Sequence, residues 1–375
     1  MLHRPVYARV PWWWLSLSAA LSLVGMFFVA SATADVAGEG WISRETGAQL
    51  LWWLFGGIAA AIAMHISPST WRNLAFPAAI AGLAVMLLML LLAGTALVPR
   101  IKGQANWIVL GGLRLQPVEL VKLATLLTCA TLAAGPNFDA RRLGHCGWVL
   151  LVAAIPMAVV AREDLGSALT IPPMVLGILL VAGIKLRWLV LAGLLVATAV
   201  VGAYHVLPRE GPKAYQWRRI DAFLHPENYA LAEAYQTERS KRSIGSGQWL
   251  GKGYMQGEQN RLGWVPEKHT DLVFAVIGEE VGFVGSALFA ILLLAWCAAG
   301  LIAASRAPGP WSRLLCAGFT CLTGGQAAIN LCVATGMMPV TGVTLPFVSY
   351  GGSSLVVCWL GLGICASSCA LEREN

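Results

Sequence analysis

Apolar residues fall in long unbroken blocks along this chain, without stripe-like spacing, and charged residues are pushed into the gaps between blocks. Each block approaches the roughly 20 residues at which a helix crosses the hydrocarbon of a bilayer. A helix that is apolar all round has no face to turn towards water. The pattern therefore predicts about ten spans, at 12–34, 48–66, 74–98, 116–134, 147–161, 165–183, 186–207, 271–304, 313–337 and 350–371. The fifth is short and joins the sixth through a turn at Arg162-Glu163-Asp164, and Pro172-Pro173 predicts a kink in the sixth. The stretch 208–270 breaks the pattern. It opens with aromatic and charged residues (Tyr215, Trp217, Arg218, Arg219, Asp221) and turns glycine-rich between Ile244 and Gly253. Such glycines suit a backbone that bends sharply or approaches a ligand closely, or a flexible surface loop. The expected architecture is an all-α polytopic integral membrane protein, a single transmembrane domain over residues 1–375, with one large extracytoplasmic loop between spans seven and eight.

Composition narrows the class. Hydrophobic residues make up 57% of the chain and charged residues 12%, with a mean hydropathy of +0.68, which excludes a soluble globular domain. The net charge of +7 is carried by scattered basic residues that no single helix or strand would present to a groove, so no nucleic-acid partner is expected. Of the nine cysteines, Cys146 lies at a block edge and the others lie within apolar blocks, which excludes a disulfide framework and paired metal-ligand spacing. Arg4 and Arg9 before an apolar run, with Ala32-Thr33-Ala34 after it, imitate a signal peptide. The run is about twice a typical signal core, so it is expected to remain as the first span. Basic residues in the short loops set the orientation. Arg4, Arg9, Arg72, Arg141, Arg142, Lys185, Arg187, Arg306, Arg313 and Arg373 fall on one side, and Arg44, Arg100, Lys102, Arg114 and Arg162 on the other. Both termini are thus expected in the cytoplasm, with the large loop outside.

Three blocks could carry chemistry. Trp264–Glu280 places Asp271 where the large loop meets a span, flanked by His269 and Thr270. A carboxylate there either accepts helix N–H groups or takes a proton from a substrate. Glu279 and Glu280 lie deeper in the same span, where ionisable groups face a bundle interior; a structural or cavity-lining role is expected of them. Arg114-Leu115-Gln116-Pro117-Val118-Glu119-Leu120-Val121-Lys122 opens span four. Pro117 and Glu119 suit a helix start, whereas Lys122 opposes the helix dipole. It is explained by pairing with Glu119, by snorkelling, or by anion binding together with Arg100, Lys102 and Arg114. The uncharged stretch Gly336–Ser354, rich in Pro and Gly, reads as a buried re-entrant segment or as a rigid connection.

These blocks, in this order, resemble the SEDS family of cell-wall polymerases over nearly the whole chain. The motifs are Gly245-Ser246-Gly247, Gly251-Lys252-Gly253, Pro266-Glu267 with His269-Thr270-Asp271, and Pro346–Ser354. Pro212–Gln216 with Phe223–Glu227 is similar to the RodA, or elongation, branch. The resemblance implies a peptidoglycan glycosyltransferase that polymerises lipid II in the bacterial cytoplasmic (inner) membrane. It implies Asp271 as the essential acid and Glu119 and Lys122 as the pair of the Gln-Pro-x-Glu-x-x-Lys motif. Lys102, Arg114, His269 and Thr270 complete the expected substrate-binding set. A Mg²⁺ or Mn²⁺ ion carried on the pyrophosphate is a candidate cofactor, with no protein metal site assigned. The implied partners are a class B penicillin-binding protein transpeptidase and scaffold proteins of the elongation complex. A lipid II flippase, or a non-catalytic scaffold for the transpeptidase, is the rival reading. The chain departs from the family pattern at Asn106, where arginine is common, at Arg162-Glu163, where Gln-Pro is common, and at Ser243, where a small apolar residue is usual.

Overall fold

Proline and small hydroxyl residues decide where the helices begin. The computed structural model describes residues 10–34, 43–101, 104–111, 113–206, 214–229 and 233–371. Helix α1 (Trp12–Thr33) starts after Pro11. In α2 (Arg44–His65) the Ser43 hydroxyl accepts from the Thr46 N–H, and in α3 (Pro68–Leu91) Ser67 caps Thr70 in the same way. That cap, with Pro68 in the first turn, draws the third span back from the expected 74–98 to 68–91. A small antiparallel hairpin follows, β1 (Ile108–Leu110) with β2 (Leu113–Leu115), pairing Val109 with Arg114. Then come α4 (Pro117–Ala133), α5 (Leu143–Val160), α6 (Leu165–Ala168), α7 (Ile171–Ala182) and α8 (Leu186–Val206). The expected kink at Pro172-Pro173 is instead a break. The chain turns at Leu169-Thr170, and both prolines sit in the first turn of α7, where their missing N–H groups have no intrahelical acceptor to lose.

Within 208–270 the described residues form α9 (Ala214–Leu224), a 3-10 turn at Pro226–Tyr229, α10 (Glu233–Ser246) and α11 (Glu258–Arg261). Three long helices close the chain: α12 (Val273–Ser305), α13 (Pro310–Ala334) and α14 (Gly352–Leu371). Among the described residues, eight helical segments are long and apolar enough to cross a membrane, α6 and α7 counting together as Leu165–Ala182. They make this a multi-pass membrane protein. The helices α4 and α8 fall at the expected fourth and seventh spans and lie outside those eight.

The apolar core is continuous from Trp14 to Cys369. Its centre is a chain of rings: Trp14 and Trp296 at 5.5 Å, Trp296 and Phe347 at 5.5 Å, Phe347 and Trp359 at 5.7 Å between centroids. Offset and edge-on contacts of this kind add to area burial. Phe347 belongs to the segment between α13 and α14 and has φ +64°, a strained value for a bulky residue. The ring cluster on either side holds it there.

The glycine-rich stretch of the loop packs closely against a helix. Gly282 (φ 64°, ψ −163°) interrupts α12 within its apolar length. The Lys252 and Gly253 N–H groups donate to the carbonyls of Glu279 and Glu280, each at 3.0 Å. Past the break, the Phe283 and Val284 N–H groups donate to Gln248 and Trp249 carbonyls at 2.8 and 3.1 Å. A backbone interrupted at membrane depth must find such partners. A Cβ on Gly247 or Gly251 would collide with α12 carbonyls, those of Gly278 and Glu280 respectively. Glycine density here marks backbone-to-backbone contact.

Candidate active site

Asp271 lies in a turn just before α12, half-buried. The turn is fixed from several directions. Glu267, at φ +51°, offers its carbonyl to the Thr270 and Leu272 N–H groups at 3.1 and 3.2 Å. Its carboxylate accepts from the Thr270 hydroxyl at 3.2 Å. Asn330 on α13 donates to the Asp271 carbonyl at 2.7 Å and to the Val343 carbonyl at 2.7 Å. The Asp271 carboxylate faces Gly342, where an added Cβ would lie 3.6 Å from Oδ2. The Tyr350 N–H donates to the His269 carbonyl at 2.8 Å, the Ser349 hydroxyl donates to the Thr270 carbonyl, and the His269 and Tyr350 rings lie 5.7 Å apart.

The stretch Met338–Ser349 is the buried irregular segment expected of a re-entrant loop: Leu345, Phe347, Val348 and Ser349 are all buried. Such a backbone needs acceptors and donors from outside itself. Side-chain amides supply them. Asn330 takes Val343, Gln326 donates to the Thr344 carbonyl at 3.0 Å, and Gln49 of α2 donates to the Ser349 carbonyl at 3.1 Å. The Leu345 N–H donates to the Ser349 hydroxyl at 2.9 Å.

Lys122 forms the floor. It is 2% exposed, and its ammonium donates to Glu119 at 2.9 Å and to Gln326 Oε1 at 3.0 Å. Glu119 itself is buried. The expected pair is therefore present, and Lys122 is also tied to α13. The Asp271 turn and the Lys122 floor connect through two α13 amides one turn apart, Asn330 and Gln326, and through consecutive residues Val343 and Thr344. Ala334, a turn further on, accepts from the Ser240 hydroxyl at 2.6 Å, so α10 rests on the same face of α13.

Helix N-termini gather here. The Gln116 N–H, just before α4, donates to Ser353 in the first turn of α14 at 3.0 Å. The bond from Tyr350 to His269 ties the start of α14 to the turn before α12. Three helices thus direct positive dipole ends into one region. Arg114 projects from β2 and is exposed, as is Arg44 at the start of α2. Burial raises the Tyr350 hydroxyl above the ordinary tyrosine pKa; Glu45 adds to this, and Arg44 and Arg114 oppose it. Both guanidinium groups therefore lie within electrostatic reach of Tyr350, beside the Asp271 turn. Lys102 lies outside the described residues.

Glu279 and Glu280 organise the loop, as expected of structural carboxylates. Glu279 is fully buried and accepts from the Gln259 and Asn260 N–H groups at 2.8 and 3.0 Å, from Ser243 at 3.1 Å and from Lys252 at 3.3 Å. Glu280 accepts from Asn260 Nδ2 at 3.0 Å and from the Ser31 hydroxyl. The three departures from the family pattern find physical reasons in these contacts. Ser243 is a Glu279 ligand. Glu163 accepts the Ala105 N–H at 3.0 Å, and the neighbouring Asn106 donates its amide to Gln104 at 3.0 Å, so two departures are bonded within one short stretch.

Sequence reading missed Gln49, Gln326 and Asn330. The signal was present: Thr323, Gln326 and Asn330 recur at i, i+3 and i+7 inside an apolar helix, and all three are buried. Among the described residues, no group of three or more His, Cys, Asp or Glu side chains is placed to hold a metal ion.

A family model described as cell cycle protein, FTSW_RODA_SPOVE, matches residues 9–373. The probable peptidoglycan glycosyltransferase FtsW of Geobacter sp. (strain M18) is 31% identical over 358 residues, 93% of this chain and 94% of that protein. The peptidoglycan glycosyltransferase MrdB of Escherichia coli (strain K12) is 34% identical over 288 residues, 76% of each. Among solved structures, a chain from a study of the structural coordination of polymerization and crosslinking by a peptidoglycan synthase complex superposes with a TM-score of 0.76. It is 30% identical and the match covers 95% of this chain and 96% of that one. Thermus thermophilus rod shape determining protein RodA superposes at 0.68 with 28% identity and 95% coverage of each. The family model runs across almost the full length, and the chain belongs to the FtsW, RodA and SpoVE family, the SEDS family that its motifs resemble.

Proposed function

We propose that this chain is a peptidoglycan glycosyltransferase that polymerises lipid II, with Asp271 as general base. Relatives matching 93% and 76% of this chain carry that activity in their names, which supports the reaction class. The observation that carries the site assignment is the linkage of the Asp271 turn, through Asn330 and Gln326, to a Lys122 floor ringed by helix N-termini.

The reaction is attack of a GlcNAc 4-hydroxyl on the anomeric carbon of a lipid-diphosphate MurNAc. Passing from an α-diphosphate to a β-1,4 bond inverts that carbon, so one direct displacement suffices. The hydroxyl proton passes to the Asp271 carboxylate as the C–O bond forms and the diphosphate leaves with the bonding pair. His269 and Thr270 hold the Asp271 turn through their backbone bonds. The Glu119–Lys122 pair is close to neutral as a unit, so the charge that meets the leaving group comes chiefly from Arg114, Arg44 and the helix N-termini of α4, α12 and α14. Lys122 is buried and engaged by Glu119 and Gln326, so it acts from beneath the site by holding α4 to α13. A Mg²⁺ or Mn²⁺ ion arriving on the diphosphate would meet the Asp271 carboxylate, with Glu267 in the same turn engaged by Thr270 and Glu119 committed to Lys122.

The elongation branch is part of this proposal. Pro212–Gln216 with Phe223–Glu227 supports it, as do the likenesses to MrdB and RodA, while FtsW relatives match at similar identity. A transpeptidase partner is supported by the synthase-complex neighbour. Family membership supports the inner membrane, and the loop charges support cytoplasmic termini.

Purified wild-type protein incubated with lipid II should give glycan polymer on a gel, and Asp271→Asn should give none while remaining inserted and partner-bound. Polymer from Asp271→Asn at the wild-type rate removes the base role. Lipid II translocation in liposomes with no polymer from wild type removes the polymerase reading in favour of a flippase.

A further inference from the structure

Outside the Asp271 mouth, a cavity of about 400 Å³ lies between α9, the turn after it, α10 and residues 336–340. Four cations line it, Arg219, Arg239, Lys241 and Arg242, against one carboxylate, Glu238. Glu238 is partly spent on Arg242 at 3.0 Å. Phe223, Tyr235 and Pro339 add apolar wall. The Arg239 guanidinium is held flat over Tyr235 and Trp264, at 5.0 and 5.2 Å from the ring centroids, and so is fixed in direction. The Lys241 stem lies against Gly336, which has φ +73° and no room for a Cβ. The bond from Ser240 to Ala334 fixes α10 over the end of α13.

The cavity borders the segment that faces the Asp271 carboxylate. Its wall at Val340 is two residues from Gly342, which faces the Asp271 carboxylate, so the two are at most about 7 Å apart along the chain. Pockets of this size suit a ligand of several hydrogen-bonding groups, larger than a bare anion. A ligand reaching it from Asp271 must be anionic, with aliphatic parts for the rings and proline.

Building on the polymerase reading, we propose that this cavity is a subsite for the carboxylate-bearing peptide substituent of the acceptor saccharide. Arg239, Lys241 and Arg242 pair with the peptide carboxylates, and Phe223 and Pro339 pack against its aliphatic side chains.

The test compares lipid-linked disaccharide-peptide bearing free carboxylates with the same substrate fully amidated. Charge-assisted hydrogen bonds to carboxylates support a KM preference of roughly tenfold for the acid form in wild type. Lys241→Gln/Arg242→Gln should erase the preference, as should Arg219→Gln on the neighbouring helix. A preference that survives in these exposed-residue variants overturns the subsite. A second readout needs no catalysis: calorimetric titration of the purified protein with a soluble disaccharide-peptide, with its amidated form, and with inorganic diphosphate. The acid form alone should bind, and the variants should lose it. Competition by diphosphate at this site would assign the cavity to the leaving group and overturn the proposal. Peptide binding without any polymerisation by wild type would instead count against the polymerase reading and leave the subsite standing.

Discussion

Lys122 shows what one buried cation requires. Its ammonium is held by Glu119 and Gln326 in a region sealed from solvent. Lys122→Ala leaves the Glu119 carboxylate buried and unpaired and should cost about 3–5 kcal/mol, read as a lowered thermal midpoint in detergent. Removing both charges, as Lys122→Met/Glu119→Leu, should recover most of that stability while polymerisation stays low, which separates the strut from the charge. The i,i+3 pairing of Glu119 and Lys122 was legible in the sequence because helical spacing alone brings them together. The third member, Gln326, was not, because it lies 204 residues away and no local rule connects them. Asp271 was legible as a boundary carboxylate.

Among elements, α12 and the glycine-rich loop form one unit. Neither is complete alone, for the helix lacks hydrogen-bond partners at Gly282 and the loop supplies them. Gly282→Ala places a Cβ at positive φ against the Gly251 N–H and should destabilise by more than about 1 kcal/mol. Hydrogen exchange should show lost protection at the Lys252, Gly253, Phe283 and Val284 amides, with the remainder of α12 unchanged. Apolar block length announced α12 correctly, but hydropathy carries no information on a break in backbone geometry. Glycine count in the loop was visible in sequence, and what each glycine approaches was not. The α3 boundary moved for a related reason: Ser67-Pro68 is a strong start signal whose first turns are too polar to register as a span.

At the scale of the whole molecule, composition sufficed to place the chain in a bilayer, because little else is compatible with 12% charged residues. Orientation rests on loop charges and is directly measurable. A cysteine introduced at Glu258, exposed at the start of α11, should react with a membrane-impermeant maleimide in intact cells, and one at Arg306 should react after lysis alone. Labelling at Arg306 without lysis, and at the loop position after lysis alone, would reverse the topology. The branch assignment is tested by complementation. Expressed in a strain depleted of its elongation polymerase, the chain should restore rod shape, and in a strain depleted of its division polymerase it should leave cells filamentous.

Gln326, Asn330 and Ala334 occupy one stripe on the C-terminal third of α13, and through them the Glu119–Lys122 ion pair, the proposed base and α10 all hang from a single rod. A small twist of that rod would carry all three off station at once. Any regulator able to grip α13 would therefore govern this protein as an on–off device, with no half-assembled setting in between.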